Sequence, residues 1–404
     1  MQGNRIFERR LISVVLLSCL GMLFRSSLAG EGGTDDLEIT VGPSLQVGDL
    51  GKVDSADLLV SPSGAVAAFV PTQDWPGRRG KPWMAYRVSV DGGQTWTGQF
   101  EAPMPQTASP VVGMGLTAAA PPRGPFKRIG QWQDTTYSTL THRRDHGQVW
   151  FAASVGQFND DLMHYQVENI LVAVEADMVA KEIPKAERTQ EFAHVRRVQP
   201  IFDKGQMVQL ADGQLLLAMH GKFKDDTKSR AFLTRSLDGG QLWWYFATMA
   251  YNTEDPDPRL PGEFSGFSEP SIALLPDGHL LAVLRADNSD KPPYKPLYVC
   301  RSDDQGKTWT KPQPTRPHLY SMSPTLAVLD NGAVACAYGR PGLNIAFSTD
   351  NGRTWSRDKK LSKVSDAGIT GQIDMVKIGP NKLMAIGGVG AGGTRVFSVT
   401  VERH

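Results

Sequence analysis

Cysteine is scarce in this sequence, with 3 in 404 residues, and neither sign of charge is in surplus, with 43 Lys and Arg against 42 Asp and Glu. The balance leaves no basic field to hold a phosphate backbone, so nucleic acid is not an expected partner. Beyond the first thirty residues no apolar run approaches the eighteen or so residues of a membrane span. Cys300 and Cys336 sit inside the apolar runs PLYVC and AVACAY, where buried thiols are expected and a disulfide framework is not. The chain also lacks metal-ligand spacing, a phosphate-binding glycine loop and a nucleophile elbow, so neither metal nor cofactor is expected. GGVGAGG near the C-terminus follows a strand pattern but opens no helix, and reads as a connection.

What is present begins with an export segment. Arg5, Arg9 and Arg10 precede the apolar LISVVLLSCLGMLF, and Ser27-Leu28-Ala29 fits a small-residue cleavage site. Residues 1–29 are therefore expected to be a signal peptide, with a chain from Gly30 delivered to the periplasm or the exterior. Cys19 faintly resembles a lipid-attachment site, but the apolar stretch after it favours an ordinary signal.

From Gly30 to His404 one irregular unit recurs, which predicts a single all-β domain. Its clearest copy runs from Phe267 to Pro314. SIALLPDGHLLAVLR reads as two short strands joined at Asp277-Gly278, PLYVCRS as a third and TWTKPQ as a fourth. MVQLADGQLLLAMH and TLAVLDNGAVACAY open further copies, so that three consecutive units cover Gln206 to Leu361. DLLVSPSGAVAAFV opens another. A degraded unit contains STLTHRRDHGQVWFAAS, with Asp145-His146-Gly147 read as its first turn. The last unit, QIDMVKIGPNKLMAIGG with TRVFSVTVE, has three strands, and LEITVG from Leu37 is expected to complete it and close a ring. Helix periodicity is confined to Met178–Glu191. The expected architecture is a six-bladed β-propeller of four-stranded antiparallel blades.

Four copies of one octet mark the turn between strands three and four: SVDGGQTW from Ser89, SLDGGQLW from Ser236, SDDQGKTW from Ser302 and STDNGRTW from Ser348. Asp bonds nearby backbone, Gly supplies positive φ, and Ser or Thr adds local bonds. In an up-and-down blade this turn shares one end with the turn between strands one and two. A pocket is therefore expected at the opposite end, where first strands begin and second strands finish. Counting from each turn glycine finds polar residues there. His220, Arg285, Arg340 and Asp74 fall seven to ten positions after theirs, and Glu269 nine before Gly278. Gln372 lies nine before Asn381, which replaces the glycine in the last unit.

The octets are Asp boxes, and with FSEPSIALLPDGHLLAVLRAD and AYGRPGLNIAFSTDNGRTW they make the chain resemble the sialidase superfamily over nearly its whole mature length. The resemblance implies arginines that hold a substrate carboxylate, a tyrosine nucleophile polarised by a glutamate, and an aspartate acid/base. Arg285 and Arg340 look like the second and third arginines, Glu269 like the tyrosine's partner, and Asp74 like the acid/base. Guanidinium forks suit a planar carboxylate and stay charged at any working pH. Two positions depart from the pattern. Asp54 and Ser55, with Lys52 the nearest cation, stand where the first arginine belongs, and Gly371-Gln372-Ile373-Asp374 stands where the tyrosine belongs.

Filling that gap would take a loop that brings in Tyr137, Tyr251, Tyr320 or Tyr338, none of which occupies the matching position. His220 is an additional acid or base at the same rim. The loops Pro105–Trp132 and Asn252–Gly266 are expected to wall the pocket. The implied function is hydrolysis of an acidic, sialic-acid-like terminal sugar, with an acidic glycan as partner. Two alternatives remain: a glycan-binding propeller that has lost its nucleophile, or a uronate-acting lyase using His220.

Overall fold

The structure, a computed structural model, describes residues 36–49, 56–60, 64, 66–71, 84–101, 117–119, 136–145, 148–158, 165–173, 202–221, 226–237, 244–287, 289, 291–362 and 371–404. Their strands form antiparallel sheets, most of them four-stranded. Sheet 1 contains Asp57–Val60, Val66–Pro71, Met84–Ser89 and Phe100–Glu101. Sheet 2 contains Thr117–Ala119, Thr136–Asp145, Gln148–Phe158 and Tyr165–Ala173. Sheet 3 contains Phe202–Gln209, Leu215–Gly221, Arg230–Ser236 and Trp244–Ala250. Sheet 4 contains Ser268–Leu274, Leu280–Arg285, Tyr298–Ser302 and Gln313–Pro314. Sheet 5 contains Met322–Val328, Val334–Gly339, Leu343–Ser348 and Lys359–Lys360. Sheet 6 contains Ile373–Gly379, Lys382–Gly388 and Thr394–Arg403.

The N-terminal strand Leu37–Val41 pairs antiparallel with Val399–Arg403 and completes sheet 6, as LEITVG led us to expect. Leu45–Gly48 pairs further back along the same strand. First strands lie side by side, each against that of the next sheet, and the first strand of sheet 6 lies against that of sheet 1. Among the described residues the helical turn is Gly390–Gly392, inside GGVGAGG, and no helix is long and apolar enough to cross a membrane. The helix-period stretch Met178–Glu191 lies outside the described residues.

Sheet 2 corrects one expectation. Asp145-His146-Gly147 stands between the second and third strands, because Thr117–Ala119 is the first. A three-residue strand is too short to show a period, so the sequence pattern began one strand late.

Inner strands read as unbroken apolar runs because both of their faces are covered. Leu280–Arg285 is buried throughout. Leu280, Ala282 and Leu284 pack with residues of sheet 3, while Leu281 and Val283 pack with those of sheet 5. Successive side chains point to opposite faces, so one run of residues feeds two cores. Cys300 and Cys336 are free and buried in these inter-sheet cores, and burial pushes both thiols well above the ordinary value.

The octets act as local staples. Ser302 Oγ donates to Asp304 Oδ1 (2.8 Å) and accepts the Gly306 N–H (2.8 Å). Asp304 also accepts the N–H (2.9 Å) and hydroxyl (2.7 Å) of Thr308. The same bonds recur at Ser89, Asp91, Gly93 and Thr95, and at Ser348, Asp350, Gly352 and Thr354. Gly352 has φ +76°, and a Cβ there would lie 2.6 Å from Leu281 Cδ2, so the turn is pressed into the adjacent sheet at a point only glycine fits. The octet at Ser236 falls largely outside the described residues.

Candidate functional site

The far edge of sheets 4 to 6 is built on irregular strand starts. Register shifts occur between Ser268 and Ser271 and between Met322 and Thr325, at the matching Ser-Glu-Pro-Ser and Met-Ser-Pro-Thr. Proline cannot donate to the ladder and is tolerated at such bulges, which re-aim the neighbouring side chain. Glu269 (φ 42°), Ser323 (φ 48°) and Arg340 (φ 55°) all hold the left-handed conformation. Side chains other than glycine rarely adopt it, and strain of this kind concentrates where function needs it.

These residues meet. Arg285 ends its strand opposite Ser268, and its Nη1 donates to Glu269 Oε1 at 2.9 Å. Its Nε lies 3.4 Å from Asp287 Oδ1, and its Nη2 3.4 Å from the Ser289 carbonyl. Arg340 Nη1, reaching across from sheet 5, donates to that same carbonyl at 2.8 Å. Glu269 Oε2 accepts the N–H (2.8 Å) of Ser323 in sheet 5, and the single hydroxyl proton of Ser323 is shared between Glu269 Oε2 (3.2 Å) and Gln372 Oε1 beside sheet 6. A continuous polar row thus crosses three sheets. Gln372 is brought in by two glycines: a Cβ on Gly339 would fall 1.8 Å from the Gly371 carbonyl oxygen, and one on Gly371 would fall 2.7 Å from Arg340 Cγ.

The cluster is buried and ionic. Arg285 is 6% exposed and Asp287 fully buried. Burial by itself disfavours the Arg285 charge, but Glu269 and Asp287 outweigh it and hold the guanidinium above its ordinary value. Burial pushes the Asp287 carboxyl up, against the Lys295 N–H (2.6 Å) and Arg285, which both favour its charged form.

Of the residues singled out by counting, Glu269, Arg285, Arg340 and Gln372 come together as one cluster. His220 is buried at the same end of the second strand of sheet 3, in register with Phe202. Asp74 lies outside the described residues, as do Lys52, Asp54 and Ser55. Contacts are described for three of the alternative tyrosines. Tyr251 Oη takes the Thr227 N–H (3.3 Å) and its ring lies 4.1 Å beneath Arg230. Tyr338 is in the core between sheets 4 and 5, and Tyr320 stands edge-on to His318. The side chain of Tyr137 is outside the described set.

Ser323, Asp287 and Ser289 were missed. The signal for Ser323 was present, since it lies nine positions before Gly332, as Glu269 does before Gly278.

Residues 187–370, which carry most of the cluster, match the family model of the BNR repeat-like domain. No curated protein matches the chain. Among solved structures, a Dyadobacter fermentans protein of unknown function is similar at 16% identity and a TM-score of 0.62, covering 91% of this chain and 99% of its own. The α-L-arabinofuranosidase of Fusarium graminearum is similar at 15% identity and 0.57, covering 90% and 98%. A Hadza microbial sialidase is similar at 15% identity and 0.56, covering 86% of this chain and 65% of its own. At such identities the likeness is one of fold. The BNR match over residues 187–370 agrees with the resemblance read from the Asp boxes, and the similar solved structures include a sialidase and an α-L-arabinofuranosidase.

Proposed function

We propose that the chain is an exported six-bladed propeller that hydrolyses a glycan at an acidic, sialic-acid-like terminal sugar. Side-by-side first strands that return from sheet 6 to sheet 1 support the closed ring. The observation that carries the function is the convergence of Arg285 and Arg340 on one carbonyl oxygen beside an ion-paired glutamate. Two guanidinium groups within reach of one oxygen are within reach of one carboxylate. Glu269 and Asp287 already neutralise Arg285, so the ligand carboxylate is taken chiefly by Arg340, in exchange for its bond to Ser289. Glu269 supplies the carboxylate beside the anomeric carbon, Gln372 an amide for a ring hydroxyl, Asp74 the acid/base, and His220 a second titrating group at the rim.

A second reading is favoured by one residue. Gln372 stands where the resembling family has its tyrosine, and an amide has no nucleophile to offer an anomeric carbon, so the site would bind a glycan without cleaving it. Lyase chemistry from His220 is the third. Incubation with 3′-sialyllactose separates them. Release of free acidic sugar, abolished by Glu269→Gln and Arg340→Ala, supports hydrolysis. Tight binding without turnover overturns it in favour of the binding propeller. An unsaturated product absorbing in the ultraviolet from a uronate glycan supports the lyase.

A further inference from the structure

Lys295 enters the cluster above only through its main-chain N–H, and its side chain is completely buried. An ammonium has three protons, and here each finds an oxygen: Asp255 Oδ2 at 2.6 Å, the Leu260 carbonyl at 3.0 Å and the Asp257 carbonyl at 3.1 Å. All three acceptors belong to the loop Asn252–Gly266, which leads from sheet 3 into the strand carrying Glu269. Gly262 of that loop has φ +85°, and a Cβ on it would lie 2.4 Å from Lys295 N, so backbone presses on backbone. Ser265 N–H bonds the Ala286 carbonyl at 3.1 Å. The main chain of Lys295 is engaged on the other side. Its N–H donates to Asp287 Oδ2 at 2.6 Å, and its carbonyl accepts the Ser321 N–H at 3.1 Å, two residues before Ser323. Tyr251, Asn252, Thr253, Glu254 and Asp255 line an open groove of about 420 Å³ where sheet 3 runs into that loop.

We propose that Lys295 is the positioning residue of this site. Its ammonium fixes Asn252–Gly266 as a rigid wall, and its main chain ties that wall to Arg285 through Asp287 and to Ser323 through Ser321. The groove and the arginine–glutamate cluster thereby take one glycan as a unit, the groove holding the neutral, hydroxyl-bearing sugars next to the acidic one. This last step rests on the glycan reading; the coupling does not. Phenol, amide, hydroxyl and carboxylates in the groove suit sugar hydroxyls and repel a second anion.

The test is Lys295→Met in the full chain, which keeps length, removes every side-chain donor and leaves the main-chain bonds to Asp287 and Ser321 in place. Hydrogen exchange is expected to accelerate by about tenfold or more across 252–266, 285–289 and 319–323, with the octets at 302–309 and 348–355 unchanged. Acceleration confined to 252–266 overturns the coupling. Should the whole chain lose protection, the milder Asp255→Asn decides: the same three segments loosening supports the proposal, and uniform loosening overturns it. Affinity for 3′-sialyllactose, read as KM where it is turned over and as Kd where it is not, against that for free N-acetylneuraminic acid reads the functional half. The wild type is expected to bind the trisaccharide about tenfold more tightly, and Lys295→Met to reduce it to the affinity of the free acid. An unchanged ratio overturns a shared ligand. If neither probe binds the wild type, the acidic-glycan reading and the shared ligand fall, and the exchange pattern still decides the coupling.

Discussion

The two ends of sheets 4 and 5 use the same residue types in opposite ways. At the octet end, Ser302 bonds partners two and four residues away, inside its own turn. At the far end, Ser323 bonds Glu269 and Gln372, 54 and 49 residues away in two other sheets. Positive φ divides similarly. At the octets Gln305 and Asn351 hold it in turns beside glycine, whereas at the far end Glu269, Ser323 and Arg340 hold it at the head or tail of a strand. The octet satisfies itself and repeats; the far edge satisfies itself only by joining sheets, so each sheet contributes a different residue. One end is held by bonds within a turn, the other by bonds between sheets.

The largest effect that would sharpen this contrast is steric. Gly352→Ala places a methyl 2.6 Å from Leu281 Cδ2 at φ +76°, and is expected to cost about 3 kcal/mol in urea unfolding. Gly278→Ala, at φ +83° with open space around it, is expected to cost about 1 kcal/mol. Equal costs would remove the packing role assigned to the octet glycines.

Serine-to-alanine exchanges at the two ends should then cross. Ser302→Ala removes two short local bonds and is expected to lower stability by about 2 kcal/mol while leaving glycan affinity unchanged. Ser323→Ala is expected to change unfolding less and glycan binding or turnover about tenfold, by releasing Glu269 from Gln372. The same order of effects on both assays would erase the distinction between the ends.

Acid should weaken the octets. Asp91 is held well below the ordinary carboxylate value, chiefly by the Thr95 hydroxyl and N–H and by Ser89. Burial raises Asp304 and Asp350, but bonds from Thr308 and Ser302, and from Thr354 and Ser348, outweigh it and leave both lowered. A depressed folded value means stability that is complete above the unfolded value near 3.9 and lost as the pH falls below it. The melting temperature of the wild type is therefore expected to fall below about pH 4, and a variant with Asp304→Asn and Asp350→Asn to start lower and fall less steeply. Parallel curves would show that the octet carboxylates do not govern the acid limb.

The smallest expected effect is a gain. Ser321 holds φ 71°, and its buried hydroxyl has no hydrogen-bond partner among the described atoms. Ser321→Gly is expected to raise stability by about 0.5–1 kcal/mol in urea unfolding, and a loss would show that the hydroxyl is bonded after all.

Much of the fold was legible because its signals are short in range. An Asp-Gly turn, an apolar run and an octet each declare themselves within about fifteen residues, and the N-terminal strand could be assigned because sheet 6 lacked one. Sheet 2 resisted, since its first strand is three residues long. In the site, Glu269, Arg285, Arg340 and Gln372 were found by position, because register places them at equivalent heights. Asp287, Ser289 and Lys295 were not, because their importance lies in partners brought close by loops of irregular length.

The sequence by itself determined the repeating antiparallel sheets, the turns that punctuate them and the end of the strands where polar residues gather, since hydrogen-bonded turns and alternating faces are local properties. Tertiary structure decided that Arg285 is already paired with two carboxylates, that Ser323 joins Glu269 to Gln372, and that a buried ammonium clamps the adjoining loop. Those facts depend on the distance between sheets, which packing sets and no local pattern records.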